Sequence, residues 1–141
     1  MLLNGAPVIF KSMAQKHVSL SVTEAELYAG VTCAQDMLYV KNVLESIGLK
    51  VKLPMILEID NKGAVDLANN WSIGGRTRHI DVRQVFLCEL KEAGVIKVIW
   101  VVGCDNDADI FTKNLDGPLF ERFAQVFVGV DEYTPENLIP E

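Results

Sequence analysis

No uninterrupted apolar run in these 141 residues approaches the roughly 18 needed to cross a membrane, so no membrane span is expected. Met1-Leu2-Leu3 runs straight into Asn4-Gly5, without the basic region and apolar stretch of a secretory leader. An intracellular protein, cytoplasmic or nuclear, is the expectation. Cysteine is scarce: Cys33, Cys88 and Cys104 are odd in number, widely spaced and form no C-x-x-C. That excludes a disulfide framework and predicts buried free thiols in a reducing compartment. With only two histidines and no His/Cys spacing pattern, a zinc site is not expected. Walker, Rossmann and serine-hydrolase motifs are missing, which argues against a plain nucleotide-binding domain. Positive charge is also short: 13 Lys and Arg face 19 Asp and Glu, for a net charge of −6. This disfavours a protein whose main work is a nonspecific grip on phosphates. It leaves room for a nuclease, whose site needs its own carboxylates to hold cations.

What is present suits one domain with a real core, since half the residues are apolar and 23% are charged. Asn4-Gly5 between two apolar stretches predicts a tight hairpin, with a long, bulged strand from Pro7 to about Leu20. Ser21-Val22-Thr23-Glu24 is a capping box that opens a helix running to Gly48, long enough to allow a kink near Gly30. A buried strand follows at Pro54–Ile59, then a short helix over 61–70 and a second helix from Asp81 to about Ala93. A strand over Val95–Val102, a turn at Gly103–Asn106 and a helix starting at Asp107 come next. A last helical segment runs from Pro118 to about Phe127. Strand–helix–strand order predicts parallel pairing, and the whole reads as α/β, a mixed sheet flanked by helices. Residues 1–128 form the domain. Residues 129–141 form an acidic tail whose Asp131, Glu132, Glu136 and Glu141 supply −4 of the −6.

Three carboxylates stand where such a fold places chemistry. Asp60 directly follows the buried strand, at the carboxyl end where open α/β sheets bind ligands. Glu26 lies in the first turns of the long helix, and Asp109 in the first turn after the last strand. Carboxylates clustered on rigid elements hold Mg²⁺, and two such ions clamp the oxygens of a phosphodiester. Each residue also has a plain structural reading. Asp60 can cap the next helix with Asn61, and Glu26 and Asp109 can simply answer helix dipoles. Arg76, Arg78, His79 and Arg83 form the densest basic cluster, suited to phosphate contacts or to pairing with Asp81. Trp71 and Trp100 read as core or rim, and Cys33 and Cys88 as small core residues.

Four blocks carry a resemblance. Ser19-Leu20-Ser21-Val22-Thr23-Glu24-Ala25-Glu26-Leu27-Tyr28-Ala29 resembles the L-S-s-T-E-A-E-Y-x-A stretch of the ribonuclease H domain in copia-type retrotransposon polyproteins. Glu58-Ile59-Asp60-Asn61-Lys62-Gly63-Ala64, Arg76-Thr77-Arg78-His79-Ile80-Asp81-Val82-Arg83 and Ala108-Asp109-Ile110-Phe111-Thr112-Lys113 resemble further blocks of that domain in the same order. The opening Leu3-Asn4-Gly5-Ala6-Pro7-Val8 resembles its hairpin. The resemblance implies a five-stranded mixed sheet and hydrolysis of the RNA strand of an RNA–DNA hybrid with two Mg²⁺ or Mn²⁺ ions. It carries catalytic and metal-ligand roles onto Glu26, Asp60 and Asp109. Glu24 is the rival of Glu26, but the capping box already accounts for it. The resemblance also implies an earlier strand bearing a further catalytic Asp. No acidic residue precedes Glu24 here, so a domain lacking that first strand, with impaired activity, is expected. The exposed sheet edge would then draw a second copy of the chain into a homodimer. The alternative is a catalytically inactive protein of the same fold that works as a binding or interaction module.

Overall fold

The computed structural model describes residues 1–14, 19, 21–69 and 82–128. The expected acidic tail, Trp71, Arg76, Arg78, His79 and Asp81 lie outside them. The chain is mixed α/β, as its sequence predicts. In order it forms β1 (Leu2–Leu3), β2 (Ala6–Pro7), α1 (Val22–Ser46), β3 (Met55–Ile59), α2 (Lys62–Asn69), α3 (Val82–Glu92), β4 (Ile96–Trp100) and α4 (Gly117–Val128). Two 3₁₀ turns, Gly103–Asp105 and Asp107–Phe111, lie between β4 and α4. The residues gather into two units, Met13–Asn106 and Met1–Ser12 with the described part of Asp107–Glu141.

In Met13–Asn106, β3 and β4 pair in parallel, with Met55 opposite Ile96 and Ile59 opposite Trp100. Alternation decides which face is covered. Leu57, Ile59, Ile96 and Val98 are buried, and the residues between them, Glu58 and Lys97, are exposed. The buried row meets Leu27, Val31, Ala34 and Met37 of α1, spaced for one helix face. Ala64, Val65 and Ala68 of α2 and Leu87 and Cys88 of α3 complete this core. Ser21 caps α1 as expected, its Oγ accepting from the Glu24 N–H at 3.1 Å. Gly48 and Gly94, with φ of +84° and +67°, end α1 and α3.

Gly30 does not break α1, which is one continuous helix of 25 residues. The glycine serves packing: a Cβ there would lie 3.0 Å from Ile59 Cδ1, so its absence lets α1 close on β3. In the other unit the Asn4-Gly5 hairpin forms, with φ of 50° and 82° at the two turn residues. The expected strand from Pro7 to Leu20 does not: β2 is two residues long, and residues 8–14 are not strand. The Val8 N–H donates to the Met1 carbonyl, Phe10 then stacks on Phe111 at 5.6 Å, and Ser12 Oγ donates to the Phe111 carbonyl. Phe111 meets Phe127 edge-on at 4.8 Å, and Phe123 of α4 is fully buried. Asp116 caps α4, its Oδ1 accepting from the Leu119 N–H at 3.1 Å.

Candidate nucleic-acid and carboxylate site

The carboxyl end of β3 is built by two helix starts. Asn61 caps α2, its Oδ1 accepting from the Ala64 N–H at 2.9 Å and its carbonyl from the Val65 N–H. The capping duty that Asp60 was able to share therefore falls to Asn61. Thr23 Oγ1, in the first turn of α1, donates to the same Asn61 Oδ1 at 3.4 Å. Gly63 lets this junction close, because a Cβ there would sit 3.1 Å from Thr23 Oγ1. The turn of α1 that leads into Glu26 is thus tied to the loop that carries Asp60. Both Glu26 and Asp60 are half-buried.

Trp100 ends β4 on the same carboxyl edge. Its Nε1–H donates to the Asp60 carbonyl at 3.1 Å, and the Lys62 ammonium sits 4.4 Å from the centre of its ring. The rim alternative for Trp100 holds, for it is 43% exposed. Its role beside Asp60 is one that composition and spacing alone do not reveal. Parallel pairing contains the signal, since the residue opposite Ile59 must stand beside Asp60.

Asp109 lies in the other unit. It is 6% exposed, and among the described residues it is the only buried charged or polar one. The Lys113 ammonium binds its Oδ2 at 2.8 Å. The plain D-x-x-x-K spacing of a helical pair was the signal for this partner. Of the basic cluster, Arg83 is described: its guanidinium covers the Tyr28 ring at 4.4 Å, joining α3 to α1.

Cys88 is buried in the core as expected, but Cys33 is only half-buried and Cys104 is exposed on its 3₁₀ turn. None of the three is in a disulfide. Burial, ahead of the opposing effect of Lys91, pushes the Cys88 thiol up.

The carboxylates Glu26, Asp60 and Asp109 are hard oxygen donors of the kind Mg²⁺ or Mn²⁺ takes. Among the described residues, however, no group of three His, Cys, Asp or Glu side chains is arranged to hold a metal ion. Asp109 already has an ammonium on one oxygen. Among the described residues no helix is long and apolar enough to cross a membrane.

No family model matches the chain, and no solved structure matches it with significance. It is 34% identical over 118 residues, 84% of its length, to the retrovirus-related Pol polyprotein from transposon TNT 1-94 of Nicotiana tabacum. It is 30% and 29% identical over 129 residues, 92% of its length, to the Pol polyproteins from transposons RE1 and RE2 of Arabidopsis thaliana. The chain spans 9% of the length of each of these relatives. This protein is therefore homologous to one segment of retrotransposon Pol polyproteins.

Proposed function

We propose that this segment is the ribonuclease H region of a retroelement polyprotein and that its partner is an RNA–DNA hybrid. The observation that carries the reading is the collinearity of four motif blocks within a stretch homologous to Pol polyproteins. The placement of Asp60 at the carboxyl end of a parallel strand, tied through Asn61 to the first turn of α1, supports it. Glu26, Asp60 and Asp109 are the catalytic and metal-ligand positions, with Mg²⁺ or Mn²⁺ as the ions. Arg76, Arg78 and Arg83 are the phosphate contacts. Because the Lys113 ammonium already holds Asp109 at 2.8 Å, hydrolysis by the isolated chain is weak or absent and binding is its residual function. A second reading, an inactive interaction module, is favoured by the Asp109–Lys113 pair, which neutralises one of the three carboxylates internally. Among the described residues β3 pairs only with β4, and its other edge is where a second copy adds to make the homodimer.

The test is incubation of a labelled RNA–DNA hybrid with Mg²⁺ or Mn²⁺. Binding with cleavage near background is expected. Robust cleavage abolished by Asp60→Asn would overturn the impairment and establish the enzyme. No binding would overturn the whole reading.

A further inference from the structure

An open cleft of about 230 Å³ lies between the first turns of α2 and the end of β4, lined by Lys62, Val65, Asp66 and Trp100. Small-molecule pockets usually enclose roughly 300–1,000 Å³, so this cleft suits one unit of a longer chain rather than a whole sequestered ligand. Its wall is a half-exposed indole whose N–H is already satisfied by the Asp60 carbonyl. That bond fixes the ring beside a candidate catalytic residue, so a flat partner stacking on it meets a surface that is already ordered. The same side of the cleft offers a cation, the Lys62 ammonium, which rests on the ring face at 4.4 Å. A cation over an exposed aromatic ring is weakly held, whereas an ammonium bound to a phosphate makes a stronger, charge-assisted contact. A flexible lysine can therefore leave the ring for a phosphate as a base takes its place. Asp66, one turn further along α2, repels phosphate from the other end of the cleft and sets its polarity.

We infer that Trp100 and Lys62 form a subsite for one unpaired nucleotide, with the base stacked on the indole and its phosphate held by Lys62. The inference rests on the proposed function for its ligand, a nucleic-acid strand. It goes beyond that reading by requiring an unpaired base, since bases inside a hybrid already stack on one another. The chain then prefers a hybrid with a single-stranded overhang to a blunt one.

The experiment measures affinity for blunt and overhanging hybrids, using the wild type, Trp100→Ala, Trp100→Phe and Lys62→Gln. Trp71→Phe, which leaves Trp100 as the sole indole, supplies a fluorescence readout. Stacking by one base is worth roughly 5- to 150-fold in affinity. We expect the overhang to tighten wild-type binding by about tenfold and to quench Trp100. Trp100→Ala should abolish the overhang preference without changing the salt dependence, and Trp100→Phe should retain most of it. Lys62→Gln should lower the slope of log affinity against log salt by about 0.7–0.9, the mark of one lost phosphate contact. Equal wild-type affinity for the two hybrids overturns the subsite and leaves the proposed function standing. An overhang preference that survives Trp100→Ala likewise overturns the subsite alone. Absence of binding to either hybrid overturns both.

Discussion

Asp109 is a buried carboxylate whose ion-pair partner reaches it from the surface. Its side chain is 8% exposed while that of Lys113 is 50% exposed, so the pair is neither a surface bridge nor a dry one. Breaking a fully buried pair from one side costs about 3–5 kcal/mol, and exposed pairs are worth at most about 1. Lys113→Met should therefore destabilise the chain by about 1–2 kcal/mol in urea unfolding. Asp109→Asn should cost less, and the double variant should recover part of the loss. An additive double variant would show that the two side chains do not depend on each other. The thiols make a second contrast. Cys104 should react with an alkylating reagent within the native state, and Cys88 only on unfolding, because its Sγ lies buried against the Ala68 carbonyl at 3.3 Å. Its raised proton affinity means that the unfolded chain ionises this thiol first. Stability from this source is complete below the ordinary thiol range and falls as pH rises through the raised folded value. Cys88→Ala should flatten that alkaline loss.

Helices were more legible in the sequence than strands, for a physical reason. The starts of α1 and α4 are set by local chemistry, the Ser21 and Asp116 caps, and their ends by Gly48 or the loss of periodicity. Ser21→Ala should cost about 1 kcal/mol. The strand expected over Pro7–Leu20 depends on tertiary partners that a local pattern does not show, and Phe10 and Ser12 turn to Phe111 instead. Gly30 invited a kink because glycine weakens helices, yet its meaning lay in the approach of β3. Two opposed effects meet there. Gly30→Ala gains up to about 1 kcal/mol of helix propensity, but its methyl group meets Ile59 Cδ1 at 3.0 Å and overpacking costs about 1–3. The crowding should win narrowly. Ile59→Val removes that Cδ1, so the double variant should be more stable than the two single effects sum to, measured as a double-mutant cycle.

The whole chain carries six more negative than positive charges, so nonspecific attraction to duplexes cannot supply strong binding. Under the proposed function, affinity for an RNA–DNA hybrid comes from shape and local contacts: an A-like minor groove with its 2′-hydroxyls, Arg76, Arg78 and Arg83, and the carboxyl edge of β3 and β4. The motif blocks made the location of this edge legible, because Asp60 must follow a buried strand. They did not reveal the indole beside it, since Trp100 reaches Asp60 only through the parallel register. The decisive measurement is fluorescence anisotropy at physiological salt with an RNA–DNA hybrid and a DNA duplex of equal length and sequence. Binding to the hybrid at least about tenfold tighter than to the DNA is the predicted result. Equal affinity for the two duplexes, or binding to neither, would contradict it.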